Sequence, residues 1–129
     1  MITLDTSILI SLEHRDNKVI KRILELSEEY GEDFYITFIN LFEFLLGLKI
    51  KKVKKKEEAI SFLRNFPILN STKLTSKIMA DLKFKYDKKG MEIPLADLII
   101  ASIAIENDML LVTQDKDFKK IKELKKIII

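Results

Sequence analysis

Four carboxylates stand where an acid is locally odd or where a strand gives out: Asp5, Glu43, Asp97 and Asp115. Asp5 closes the apolar opening MITLD, and Asp115 follows the run LLVT by one residue. Glu43 lies in NLFEFLLGL, with Leu41, Phe42, Phe44, Leu45, Leu46 and Leu48 around it, and Asp97 lies inside PLADLIIASIAI. A helix apolar on every side is normally buried. A buried carboxylate without partners is costly enough that it usually gives up its charge. The chain must therefore supply a cation for these groups or a reason to tolerate the strain.

Taken singly, each acid has an ordinary explanation. Asp5 could cap a helix over TSILISL, and Asp115 could cap one over KDFKKIKEL. Asp97 falls in the first turn of its helix, where negative charge suits the dipole. Glu43 could snorkel or pair with a buried Lys or Arg. Taken together, the four are better explained by a shared cation, because clustered carboxylates without one would raise each other's pKa. The chain has no cysteine and one histidine, His14, which reads as a surface residue. Oxygen-only ligation of that kind points to Mg²⁺ or Mn²⁺ rather than zinc.

The elements that must position these acids alternate along the chain. MITLD, Phe34 to Thr37, PIL, MLLVT and KIII have strand character. TSILISL, NKVIKRILELSEEY, the Glu43 segment, KKEEAISFLRNF, STKLTSKIMADLKFKYDKK, PLADLIIASIAIEN and DKDFKKIKEL have helical spacing, with Gly31 and Gly90 as stops. Short apolar strands separated by helices imply an α/β fold with a central, mostly parallel sheet of about five strands flanked by helices. Ligands of such sheets collect outside the carboxyl ends of the strands, where Asp5 and Asp115 should both lie.

Bulk properties narrow the class. The 129 residues, 47% of them hydrophobic, suffice for one domain spanning residues 1–129 with a real core. Without cysteine there is neither a disulfide framework nor a thiolate metal site, which is compatible with a reducing cytoplasm. No signal-peptide pattern opens the chain, and no apolar run reaches the length of a membrane span. The net charge of +3 is a mild pull toward polyanions. The run KIKKVKKKEE reads first as a solvated helix surface or connector. Beside an acidic groove it could hold phosphates. The aromatics are scattered at core spacings and offer no base-stacking platform.

The series LDTSIL, FINLFEFLLG, IPLADLIIASIA and LLVTQDKDF resembles the PIN-domain nucleases, in particular the VapC-type toxins, over essentially the whole chain. The resemblance implies an acidic quartet of Asp5, Glu43, Asp97 and Asp115 that binds Mg²⁺ or Mn²⁺ and hydrolyses phosphodiester bonds, most often in single-stranded RNA. Thr6 or Ser7 and Thr113 match positions whose hydroxyls line or brace such sites. Asp117 rivals Asp115 as the fourth acid. Two positions depart from the family pattern: Leu95 stands where an extra acid is common, and Phe44 replaces the usual aliphatic residue. A divalent ion reverses the repulsion between carboxylates and an anionic phosphodiester and acidifies a bound water. Asp5 and Asp97 are the expected principal ligands, with Glu43 and Asp115 completing the site directly or through water. The expected partners are an RNA substrate, a cognate antitoxin and a second copy of the chain, with no membrane. Two other readings remain at this level: a housekeeping PIN nuclease of RNA processing, and a non-catalytic RNA-binding or interaction module. A receiver-like domain would need a lysine closing a late strand, whereas the late strands here read LLVTQD and KIII.

Overall fold

The computed structural model describes residues Met1–Ile129 and opens, as the apolar ITL run requires, with a strand, β1 (Ile2–Leu4). Helices α1 (Thr6–Glu13) and α2 (Asn17–Tyr30) follow, and then strand β2 (Phe34–Thr37), helix α3 (Phe38–Ile50) and helix α4 (Lys56–Leu63). The remainder is β3 (Ile68–Leu69), α5 (Lys73–Lys88), α6 (Leu95–Glu106), β4 (Leu110–Thr113), a 3-10 turn (Lys116–Lys120) and β5 (Lys126–Ile128). No helix is long and apolar enough to cross a membrane.

All five strands run parallel in the order β3-β2-β1-β4-β5. The chain builds outward from β1 to one edge, then returns to the other side of β1 with β4. The crevice between β1 and β4 is thus the point where strand order reverses, which in open α/β sheets is where ligands bind. Register holds Leu4 against Val112, so Asp5 emerges beside Thr113.

Both faces of the sheet are covered, and neighbouring strand residues go to opposite sides, as in buried parallel sheets. Val112 joins a core with Ile2, Leu4, Ile8, Leu9 and Leu26, while Leu111 joins a second core with Tyr86, Ile100, Phe118 and Ile121. Helix α6 matches its all-apolar sequence: Leu98 and the five residues from Ile100 to Ala104 are buried.

Two sequence expectations need correction. Helix α3 is not buried all round, since Phe42, Leu46 and Ile50, spaced by four, are 57%, 42% and 70% exposed. Glu43 is accordingly half-buried at the edge of the core rather than sealed within it. The segment after β4 forms a 3-10 turn over Lys116–Lys120 instead of a full helix. Its buried residues, Phe118, Ile121 and Leu124, recur every third position. The backbone follows that period, with the Ile121 amide donating to Phe118 and the Leu124 amide to Ile121.

Candidate active site

Asp5 occupies the cap position of α1 but makes no capping bond. Its 6%-exposed carboxylate is held from several sides instead. Thr113 Oγ1 donates to Oδ2 at 2.6 Å, Ser7 Oγ donates to the same oxygen at 3.3 Å, and Asn40 Nδ2 donates to Oδ1 at 3.2 Å. Glu43 accepts a 2.7 Å bond from Thr6 Oγ1. None of the ion pairs in the protein involves Asp5, Glu43, Asp97, Asp115 or Asp117. The explanation of Glu43 by a buried Lys or Arg therefore finds no such partner.

The hydroxyls share one polarity. Thr113 Oγ1 accepts from the Asp115 amide at 2.9 Å before donating to Asp5. Ser7 Oγ accepts from the Gln114 amide at 3.0 Å, and Thr6 Oγ1 accepts from Asn40 Nδ2 at 3.1 Å. Each hydroxyl receives an N–H and spends its own proton on a carboxylate. Bonds of that direction favour the ionised acid. Burial works against them and wins: it pushes the Asp5 carboxyl up, with Asp115 adding repulsion, and the bonds from Thr113, the Thr6 amide and Ser7 recover only part. Glu43 is raised in the same way by burial, then by Asp5 and Asp115, against the bond from Thr6.

Asp97 has no hydrogen bond to offset these effects. Burial first, then Asp115, Asp5, Asp117 and Glu43, push its carboxyl up to about 6. Oxygen atoms of Asp97, Asp115 and Asp117 lie within 4.8 Å of one another. Asp115 also caps the 3-10 turn, its Oδ1 accepting from the Asp117 amide at 2.9 Å. The capping explanation of Asp115 is thus correct without excluding a role in the site.

The structure gathers all four sequence-selected acids at the β1–β4 crevice and adds Asp117 to the closest trio, while Asp5 and Glu43 are fixed by hydroxyls. The donor set is oxygen only and uncompensated by any protein cation, and only Asp5 and Glu43 accept hydroxyl bonds that favour the charged form. Such a set fits Mg²⁺ or Mn²⁺. Sequence reasoning gave no role to Asn40, a fully buried side chain that ties Asp5 and Thr6 to the start of α3. Its signal was present as Thr37-x-x-Asn40, the spacing of a reciprocal cap. Of the two departures, Leu95 is 66% exposed and Phe44 is buried against Phe62, so neither disturbs the acids.

Asp115→Asn is expected to cost far more activity than Asp117→Asn. Asp115 is half-buried and raises the pKa of Asp5, Glu43 and Asp97, whereas Asp117 is exposed and influences Asp97 alone of these three. Cleavage rates of the two variants check this, and the reverse order would assign the site to Asp117.

A family model of the PIN domain matches residues 2–124, and the chain belongs to that family. Its structural neighbours are VapC-type PIN proteins from VapBC toxin–antitoxin systems. A chain of VapBC2 from Rickettsia felis, solved bound to a DNA fragment from the promoter, is 30% identical with a TM-score of 0.82, the match covering 99% of this chain and 98% of that one. VapBC-1 from nontypeable Haemophilus influenzae gives 24% identity and a TM-score of 0.80, covering 99% and 98%. FitAcB from Neisseria gonorrhoeae gives 24% and 0.78, covering 98% and 96%. No curated protein sequence matches significantly.

Proposed function

We propose that this protein is a Mg²⁺- or Mn²⁺-dependent endoribonuclease acting on single-stranded RNA, and the toxin of a toxin–antitoxin pair. The observation that carries the reading is the convergence of Asp5, Glu43, Asp97 and Asp115 at the β1–β4 crevice with no protein cation among them. Asp97 and Asp115 would hold the metal with Asp5, and Glu43 or Asp117 would complete its shell through water. A bound divalent ion supplies the positive charge that a phosphodiester needs and an acidified water. The chain's own part is orientation. Thr113, Ser7 and Asn40 hold the Asp5 carboxylate, and Thr6 holds Glu43, so that these oxygens face the crevice without reorganising during the reaction.

The toxin role rests on likeness to the VapBC2 chain, and an antitoxin is the expected partner. A homodimer is supported by the exposed stripe Phe42, Leu46 and Ile50 on α3 and by exposed Phe84 and Leu95. Purified protein should cut a single-stranded RNA oligonucleotide in Mg²⁺ or Mn²⁺ and stop in EDTA, with recovery on restoring the metal. Undiminished cutting in excess EDTA would reject the mechanism. Normal growth of cells overproducing active enzyme would reject the toxin role.

A further inference from the structure

Glu43 and Gly47 of helix α3 and its C-cap residue Lys51 stand at intervals of four, so they form one stripe along it, about 12 Å from first to last. All three line a crevice together with Phe44, Leu48 and Val53 and with Ile10, Glu13 and His14 of the α1 end. Gly47 is the anomaly. Glycine in a helix interior is unfavourable relative to alanine, and here nothing visible requires it. Its φ lies outside the left-handed region, and a Cβ built on it would meet no atom within 4 Å. The missing side chain keeps the crevice open midway between the acidic site and Lys51.

Beyond Lys51 the chain turns through Lys52, Lys54 and Lys55 into Lys56, the first residue of α4. All five of these lysines are exposed, and none forms a salt bridge. Glu57 and Glu58 stand in the first turn of α4, where their charge is accounted for by the helix dipole. The crevice thus has the Glu43 carboxylate at one end of the stripe, a bare backbone amid a largely apolar lining in the middle, and Lys51 at the other end, with the remaining lysines of the turn following it in the chain.

We infer that the RNA strand leaves the scissile bond along the Glu43–Gly47–Lys51 stripe, a base entering the crevice over Gly47 and the following phosphates resting on the Lys51–Lys56 turn. The inference rests on the ribonuclease reading above and adds the direction of the strand and the residues that grip it. The apolar lining of Ile10, Phe44, Leu48 and Val53 suits the face of an unpaired base, and the unpaired lysines suit phosphates rather than an acidic partner's scattered side chains. Such contacts make affinity fall with salt in proportion to the phosphates held.

The test compares a dinucleotide, which carries one scissile bond and cannot reach the lysines, with a longer single-stranded oligonucleotide. Changing Lys54, Lys55 and Lys56 together to Gln should raise KM for the long substrate roughly tenfold and reduce the slope of log KM against log salt by about two. It should leave kcat, and all kinetics on the dinucleotide, unchanged. Gly47→Leu should raise KM for both substrates, because the second base of the dinucleotide would enter the same crevice, while Gly47→Ala, which suits a helix, should raise the melting temperature. An unchanged KM and salt slope in the lysine variant would overturn the strand path. So would a Gly47→Leu variant that loses binding to a protein partner but keeps its KM for RNA. Failure of the wild type to cut either substrate in metal would instead reject the ribonuclease reading.

Discussion

Asp97→Asn should remove metal-dependent cleavage and, in metal-free buffer, make the protein more stable. The two effects have one cause. Asp97 is the acid on which the charges of Asp115, Asp5, Asp117 and Glu43 all bear, with burial as the largest influence, and no hydrogen bond relieves it. A metal contributes several kcal/mol of transition-state stabilisation, and each 1.36 kcal/mol is tenfold in rate. Losing a principal ligand should therefore cost roughly a thousandfold in kcat/KM. For stability the sign follows from linkage. The folded carboxyl, at about 6 against 3.8, binds its proton more tightly than the unfolded one. Wild type is thus favoured below 3.8 and loses stability as pH rises through about 6. Because Asp97 is half-exposed, screening limits the loss to roughly 1–2 kcal/mol. Melting curves at pH 4 and pH 7.5 in EDTA should show a fall for wild type that is smaller in Asp97→Asn. Mg²⁺ should then stabilise wild type more than the variant. A variant that melts lower at both pH values, with cleavage intact, would make Asp97 a structural residue.

Asn40→Ala should be the most damaging single change at the site for stability. The Asn40 side chain is fully buried and fully employed. Its Oδ1 accepts from the Thr37 amide at 3.0 Å and from Thr37 Oγ1 at 2.7 Å, and its Nδ2 donates to Asp5 at 3.2 Å and Thr6 at 3.1 Å. Alanine would leave the Thr37 amide unsatisfied, loosen the start of α3 and strip Asp5 of a donor. A lost cap costs about 1 kcal/mol, and a stranded buried polar group about 1–3. A total of roughly 2–4 kcal/mol should appear as a lower urea midpoint. Activity should also fall in the fraction that remains folded, because Asp5 is less well held. A change below about 1 kcal/mol would show that water replaces the amide.

The sequence made the sheet legible because each strand is a short apolar run bounded by helix signals, and the four acids because each interrupts an apolar pattern. What it hid was local. Asn40 is a polar residue in an apolar helix like Glu43, but an amide carries no charge to raise the same question. The 3-10 turn was hidden because Lys119, Lys120, Lys122 and Glu123 fill the intervals between Phe118, Ile121 and Leu124. A period of three passes easily for one of 3.6 over so short a stretch. Helix α3 misled through composition: apolar residues on every side do not say that every side has a neighbour. Its open face is where the expected dimer would find surface.

The bond from Thr113 to Asp5 spans 108 positions of sequence. Strand β1 stays without its β4 neighbour until the chain has been synthesised past residue 113. Contacts so distant in sequence are slow to form, because loop closure must come first. A growing or truncated chain can display Asp5, Glu43 and Asp97 and still lack the strand that aligns them. The site is thereby completed late: until β4 joins the sheet, Asp5 lacks the Thr113 hydroxyl that holds it.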